Sequence, residues 1–159
     1  MRVGVLAVGN RFAGDDAVGP LVLDAVRDHL PVDVAAVELD GEPARILAAW
    51  DDLEAVVVVD AAHSGAPVGS VHRLVVHPEH LEAVMRPSGP AAGTHGAGVA
   101  EALGLGRALG RVPTAVVVVA VEGRRYAAGD PCSEEVVAAL DEASALVQDE
   151  VLRLAAVPA

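Results

Sequence analysis

The apolar positions of this chain fall into two alternating patterns. The first consists of continuous runs of β-branched and small apolar residues at 3–8, 55–59 and 115–121. Such runs are typical of strands that are covered on both faces. A shorter run at 32–39 predicts another strand, and imperfect alternation across 70–76 predicts an edge strand paired antiparallel with its neighbour. Together these runs predict a sheet of about five strands.

The second pattern is apolar residues at helical spacing in the stretches between these runs. It predicts helices over residues 16–30, 43–53, 95–109 and 133–154. Pro43 suits a first helical turn, and Ser133 suits an N-cap position. Strands that alternate with helices predict a mostly parallel twisted sheet with helices on both faces. We therefore expect a single α/β domain over residues 1–159, built as a three-layer sandwich, and a mobile Gly/Pro-rich loop at 84–96.

Composition and charge narrow the possible partners. The 159 residues are 53% hydrophobic but only 2% aromatic, so the core must consist of Val, Leu, Ala and Ile. A net charge of −12 argues against nucleic-acid binding, which requires basic side chains to neutralise phosphates, and disfavours an anionic membrane surface. All eleven basic residues are arginine, which excludes chemistry that depends on a lysine.

Sequence features also indicate the compartment. The longest apolar run, at 115–121, is far shorter than the roughly 20 residues of a membrane helix. The N-terminal run stops at Gly9-Asn10, which is too short for a signal-peptide core and has no small-residue cleavage site. The single cysteine, Cys132, allows no internal disulfide and no cysteine-rich zinc site. We expect a cytoplasmic protein.

Several familiar motifs are incomplete. Gly4 and Gly9 have the spacing of a phosphate loop, but Asn10-Arg11 follows where Lys and Ser or Thr should stand. The chain has no Gly-x-Ser-x-Gly nucleophile elbow. Cys132 precedes a predicted helix, where a thiolate can be stabilised, but a lone cysteine is more often a bystander. Nucleotide binding and nucleophilic catalysis therefore have little support.

The remaining polar clusters have two interpretations each. His72, His77 and His80 form a group that is best explained as surface histidines. His63 follows Asp60 by three residues and either approaches the same site or lies in a loop. Residues 124–125, both arginine, follow the last strand, and they either reach a substrate carboxylate or are merely solvated.

Asp16, Asp60 and His95 are the strongest candidates for chemistry. Each stands at a strand end or a helix start, and in an open parallel sheet the loops at the carboxyl ends of strands converge on one crevice. Two carboxylates and one imidazole suit a divalent metal of borderline hardness. Taken singly, each residue is more often structural: the Asp15-Asp16 pair as a helix cap, and Asp60 as a cap or turn residue.

The order and spacing of these motifs resemble those of the hydrogenase maturation proteases, which trim a C-terminal extension from the large subunit of nickel–iron hydrogenases. The resemblance covers nearly the whole chain. It rests on Gly9-Asn10 followed by Gly14-Asp15-Asp16, on Val-Val-Val-Asp60-Ala-Ala, on Thr94-His95-Gly, and on the closing strand, loop and helix over 121–136.

The resemblance implies an endopeptidase in which Asp16, Asp60 and His95 ligate nickel and are the catalytic residues. Nickel would arrive in the partner, the hydrogenase large-subunit precursor, and no organic cofactor is implied. The metal would polarise the scissile carbonyl or activate a bound water, and Asp15 or Asp16 would accept the proton. Two departures from the family stand out: Asp16 replaces the Glu of some members, and glycines follow His95.

Two other classes of function remain open at this point. A non-catalytic α/β module that binds a metal or a partner would use the same crevice without hydrolysis. A nucleotide-binding regulator is disfavoured by the missing phosphate-loop residues. Cleavage of a defined C-terminal extension separates the endopeptidase from both.

Overall fold

The computed structural model describes residues 1–77 and 97–157, which form five strands and five α-helices. The strands are β1 Val3–Val8, β2 Ala35–Leu39, β3 Ala55–Ala62, β4 Val71–Val76 and β5 Ala115–Glu122. The helices are α1 Val18–Val26, α2 Pro43–Trp50, α3 Ala97–Leu109, α4 Glu134–Ala138 and α5 Leu140–Ala155. Short 3₁₀ turns at Gly14–Ala17 and Arg27–His29 flank α1.

The five strands form one sheet in the order β2-β1-β3-β5-β4. Neighbouring strands are parallel except for β4, which runs antiparallel to β5 at the edge. The predicted sheet and its antiparallel edge strand are therefore confirmed. Because β1 lies between β2 and β3, the connection from β1 leads to one side of β1, and the connection from β2 leads back across to its other side. The carboxyl ends of β1 and β3 consequently flank a topological switch point, where ligands bind in folds of this kind.

Alternating strand residues feed two separate cores, one on each face of the sheet. Val5 and Ala7 of β1 pack on the face covered by α1 and α5. Leu6 and Val8 pack on the opposite face, which is covered by α2 and α3 and includes the buried Trp50. Burial of each Val or Leu contributes roughly 1.5–3 kcal/mol, which explains how a core almost without aromatics holds three layers together. The predicted three-layer sandwich is confirmed.

Several element bounds differ from the prediction, among them those of α1, which spans Val18–Val26 rather than residues 16–30. Strand β2 begins at Ala35 rather than at residue 32, and α2 ends at Trp50 rather than at residue 53. The predicted helix over 133–154 is interrupted at Ala139, which separates α4 from α5. Strands β3 and β5 continue past their apolar runs, because the ladder extends through the pairs Asp60–Ala120 and Ala62–Glu122. The predicted loop at 84–96 and the first two residues of the predicted helix 95–109 lie outside the described residues.

The start of α1 is fixed directly against the sheet. A side chain at Gly19 would lie 2.5 Å from the Val8 carbonyl oxygen and 2.8 Å from that of Val59. Only glycine therefore lets the first turn of α1 rest on the carboxyl ends of β1 and β3. None of the helices described here is long and apolar enough to cross a membrane.

Candidate functional site

Asp16 lies in the 3₁₀ turn between β1 and α1 and is partly exposed. One oxygen of its carboxylate, Oδ2, accepts a hydrogen bond of 2.9 Å from the backbone N–H of Asn10. The loop folds tightly over this residue because Gly9 has φ +146°, and a Cβ there would lie 2.0 Å from the Asp16 carbonyl oxygen. The Gly9-Asn10 pair of the sequence motif thus holds Asp16 at the carboxyl end of β1.

Asp60 lies near the end of β3 and is only 5% exposed. Its Oδ1 accepts a hydrogen bond of 2.8 Å from the backbone N–H of Ala61, the one donor to Asp60 among the described residues. Burial raises the pKa of Asp60 to about 8, the Ala61 hydrogen bond opposes that rise, and the negative charge of Asp16 adds to it. Asp16 follows β1 and Asp60 lies near the end of the neighbouring strand β3, so both carboxylates lie at the switch point between these two strands.

Asp15, which precedes Asp16, is fully buried and saturated with hydrogen bonds. Its Oδ2 accepts bonds of 2.7 Å and 3.0 Å from the backbone N–H groups of Arg124 and Arg125. Ser133 donates its backbone N–H at 2.6 Å and its hydroxyl at 2.8 Å. Burial alone raises the pKa of Asp15, but these hydrogen bonds outweigh burial and hold that pKa below its ordinary value.

The two adjacent aspartates therefore differ in the hydrogen bonds that hold them. Asp15 fastens the start of α1 to the loop after β5 and to Ser133, the N-cap residue of α4. Ser133 is an N-cap as predicted, but its hydroxyl bonds Asp15 instead of the helix. Asp15, held by four donors, is therefore a structural carboxylate.

Glu122 is a buried carboxylate that the sequence analysis did not select. It ends β5 and accepts hydrogen bonds from the backbone N–H and hydroxyl of Ser64, at 2.6 Å and 2.9 Å, and from the backbone N–H of Gly65, at 3.0 Å. Burial raises the pKa of Glu122, but these bonds and the His72 ring, 3.3 Å away, bring that pKa below its usual value. The sequence contained a signal for this residue, because Glu122 directly follows the apolar run at 115–121, just as Asp60 directly follows the run at 55–59.

Tyr126 joins the loop after β5 to the end of β3. Its hydroxyl donates a hydrogen bond of 2.8 Å to the Ala62 carbonyl oxygen, and burial together with the charges of Glu122 and Asp15 raises the pKa of its phenol. The ring of Tyr126 meets that of His63 edge to face, with centroids 5.8 Å apart. His63 is exposed and lies in the loop after β3, as one of its two interpretations proposed.

The other polar candidates from the sequence have structural explanations. Burial and the nearby Asp15 charge raise the pKa of the Cys132 thiol to about 11, so a thiolate is not favoured there. The His72 side chain is 40% exposed on β4, and its ring also contacts the buried Glu122. His77 is exposed, and His80 lies outside the described residues.

His95 also lies outside the described residues, whereas the helix that follows it in the chain is described. Helix α3 begins at Ala97, and a Cβ on Gly98 would lie 2.0 Å from the Gly41 carbonyl oxygen. The first turn of α3 therefore contacts the loop after β2, at the same edge of the sheet as Asp16 and Asp60. Within residues 1–77 and 97–157, no group of three His, Cys, Asp or Glu side chains is arranged to hold a metal ion.

An open cleft of about 360 Å³ lies beside Gly9 at this edge. It is lined by Gly9, Glu38, Leu39, Asp40 and Arg45. Asp40 forms an ion pair with Arg45, and Glu38 binds Arg11, which also binds Asp24. The cleft therefore extends the crevice over the carboxyl ends of β1 and β2.

No protein-family model and no curated protein matches the sequence, but solved structures match the fold. The hydrogenase maturating endopeptidase HybD from E. coli is 24% identical and has a TM-score of 0.79, over 98% of this chain and 94% of that one. The hydrogenase 2 maturation peptidase from Thaumarchaeota archaeon SCGC_AB-539-E09 is 26% identical, over 95% and 98% of the two chains, with a TM-score of 0.69. The [NiFe] hydrogenase maturation protease HybD from Thermococcus kodakarensis is 22% identical, over 95% of this chain and 99% of that one, with a TM-score of 0.71.

This chain thus has the fold of the hydrogenase maturation proteases over nearly its whole length. The resemblance that the sequence motifs indicated is confirmed at that level.

Proposed function

We propose that this protein is an endopeptidase of hydrogenase maturation, which removes the C-terminal extension of a nickel–iron hydrogenase large-subunit precursor after nickel insertion. The fold shared with solved hydrogenase maturation peptidases supports this proposal. The observation that carries it is the position of Asp16 and the buried Asp60 after and at the end of the neighbouring strands β1 and β3, at the switch point of the sheet. A buried carboxylate with one hydrogen-bond donor is costly for the fold, and such groups concentrate at functional sites.

In this proposal the nickel belongs to the substrate. Asp16 and Asp60 bind it through their carboxylate oxygens, and His95 adds an imidazole nitrogen. Oδ2 of Asp60 accepts no hydrogen bond from any residue described, which leaves that oxygen available for a metal. Both oxygen and imidazole ligands suit a divalent metal of this hardness. The scissile peptide bond is then held beside the metal.

Hydrolysis uses the metal in one of two ways. The nickel either polarises the scissile carbonyl or lowers the pKa of a bound water. Asp15 is committed to Arg124, Arg125 and Ser133 and is therefore not the carboxylate that takes the proton of the attacking water. Asp16 would take that proton only through a carboxylate oxygen that does not bind the metal. Cleavage in this scheme reports on metal insertion, since a precursor without nickel offers the three ligands nothing to bind.

The test compares nickel-loaded and nickel-free precursor by mass after incubation with the purified protein. We expect a C-terminal peptide to be lost from the nickel-loaded form only. Asp16→Asn and His95→Ala should each abolish this cleavage while the protein keeps its melting temperature within a few degrees. Asp51→Asn is the matched control, because Asp51 pairs with Arg111 at the end of α2, away from the crevice, and this variant should cleave normally.

Two results would contradict the proposal. If a cognate precursor is bound but neither form is cleaved, the protein is a non-catalytic module that binds a metal or a partner. If Asp16→Asn and His95→Ala both unfold the protein, these residues are caps or core groups and not metal ligands.

A further inference from the structure

Two loops at the rim of the crevice are joined by backbone hydrogen bonds. The Asp15 N–H donates to the Arg125 carbonyl oxygen at 2.7 Å, and the Gly129 N–H donates to the Phe12 carbonyl oxygen at 2.7 Å. Gly14 has φ +56°, and a Cβ there would lie 2.4 Å from the Arg125 carbonyl oxygen. The two backbones are therefore too close together at this point to admit a side chain on residue 14. We call residues 10–15 and 124–130 the joined rim. It adjoins Asp16 directly.

The two neighbouring arginines of the joined rim differ in their pairing. Arg124 forms an ion pair of 3.1 Å with Glu135. Arg125 is exposed, and its guanidinium has no ion pair or hydrogen bond with any described residue. Its backbone is nevertheless fixed on both sides, because its N–H donates to Asp15 Oδ2 at 3.0 Å and its carbonyl accepts from the Asp15 N–H. The joined rim thus presents an unpaired cation from a fixed position.

Such a cation stands out in a chain of net charge −12. Glu38 and Asp40 at this edge of the sheet are paired with Arg11 and Arg45, and Asp16 lies beside the joined rim. Arg125 has no such pairing with a described residue, so it attracts a carboxylate side chain of a partner. Electrostatic complementarity of this kind fixes the register of a bound chain.

Phe12 adds an apolar contact to the same rim. It is 78% exposed and is the only phenylalanine of the chain. Its backbone N–H donates to Asn10 Oδ1 at 2.9 Å, its carbonyl accepts from Gly129, and Asn10 in turn bonds Asp16. A large aromatic side chain that is held in water on a well-anchored loop is typical of an interface anchor.

We propose that Arg125 and Phe12 of the joined rim form the docking surface for the precursor, which rests on the function proposed above. Arg125 binds a carboxylate side chain of the precursor, and Phe12 packs on an apolar side chain in the same segment. The substrate segment beside the scissile bond is therefore acidic and apolar. These contacts hold the precursor while Asp16 and Asp60 bind its metal.

The test measures kcat and KM for cleavage of nickel-loaded precursor by Arg125→Ala, Phe12→Ala and the matched control Arg124→Ala. We expect KM to rise about tenfold or more in the first two variants with kcat within twofold, because a hydrogen-bonded ion contact or a buried aromatic contributes that much to binding. KM of the Arg124 variant should stay within twofold. Added salt should raise the wild-type KM and affect that of Arg125→Ala much less.

Charge reversal identifies the contacted carboxylate. Each acidic residue of the precursor near the cleavage site is changed to Lys, and one such change should restore the KM of Arg125→Glu. Binding of fluorescently labelled precursor is measured in parallel. If the wild type cleaves but Arg125→Ala and Arg124→Ala have the same KM, docking at the rim is wrong. If the wild type binds through Arg125 without cleaving, the docking surface holds and the proposed endopeptidase function is wrong; absence of both binding and cleavage overturns both.

Discussion

Asp15 and Asp60 are both buried carboxylates at the carboxyl edge of the sheet, but their surroundings have opposite effects on their charge. Asp15 accepts four hydrogen bonds from three residues, and its pKa lies below the ordinary value. Asp60 accepts one from Ala61, lies beside the negative Asp16, and has a pKa of about 8. The charged form is thus favoured at Asp15 and disfavoured at Asp60.

The difference is the one expected between a structural carboxylate and a proposed metal ligand. A buried charge that receives enough hydrogen bonds holds the surrounding loops together. A buried carboxyl that receives too few reduces stability, and such a group persists where binding or catalysis requires it. Loss of solvent contact by itself does not make the distinction, because neither residue is more than 5% exposed. The number of donors and the sign of the neighbouring charge do.

The largest expected effect follows from Asp60→Asn. The amide keeps the shape of the carboxyl but is a poor metal ligand, so we expect cleavage of nickel-loaded precursor to fall by about 10³-fold. The metal-free variant should be more stable than the wild type at pH 7, because the buried group can no longer ionise. Rates from mass spectrometry and urea unfolding curves measure the two effects.

The pH dependence of this stability difference has a definite sign. The folded pKa of Asp60 is raised, so its contribution is fully present below about pH 4 and is lost as pH rises toward 8. The advantage of Asp60→Asn should therefore grow from pH 4 to 8, by at most about 1.4 kcal/mol per pH unit. A difference that is constant over this range would show that the carboxyl of Asp60 is not protonated in the folded protein.

The second effect is a loss of stability in Asp15→Ala. Removal of this carboxylate leaves the buried N–H groups of Arg124, Arg125 and Ser133 without their acceptor. Each such donor costs about 1–3 kcal/mol, so we expect urea unfolding to show a loss of roughly 4 kcal/mol. Asp15→Asn keeps one acceptor oxygen and should lose less, which provides a folded variant if Ala does not fold.

The contribution of Asp15 to stability depends on pH in the opposite sense to that of Asp60. The folded pKa of Asp15 is lowered, so its stabilising contribution is present above about pH 4 and is lost as pH falls through the folded pKa. The gap between the wild type and Asp15→Asn should therefore narrow in acid. A gap that widens below pH 4 would contradict the structural task given to Asp15.

The smallest effect is expected for Cys132→Ala. The thiol lies near Asp15 and has a pKa of about 11, so it contributes packing and not a nucleophile. Cleavage should stay within twofold of the wild type, and the unfolding free energy should fall by about 1 kcal/mol or less. Loss of cleavage in a folded Cys132→Ala protein would return cysteine chemistry to consideration.

Much of the fold could be predicted because its signals are local. Uninterrupted apolar runs predicted the parallel strands, helical spacing between them predicted the two outer layers, and the incomplete alternation at 70–76 predicted the edge strand β4. Strand ends were less certain, because a carboxylate such as Asp60 or Glu122 looks like a loop residue unless its ladder partner is known. The same uncertainty kept Glu122 out of the predicted site.

The sequence by itself determined the layered architecture and the motifs that carry Asp16 and Asp60, because periodicity and residue type are properties of short segments. Only the tertiary structure decided what each charged group does. Asp15 and Asp16 are neighbours in the chain, yet Asp15 is held by donors from residues more than a hundred positions away, and Asp16 accepts from Asn10, six positions away. Arg124 and Arg125 are likewise distinguished by Glu135, which pairs with the first and not the second. Hydrogen bonds and electrostatic interactions depend on distances in space, and the order of residues does not give those distances.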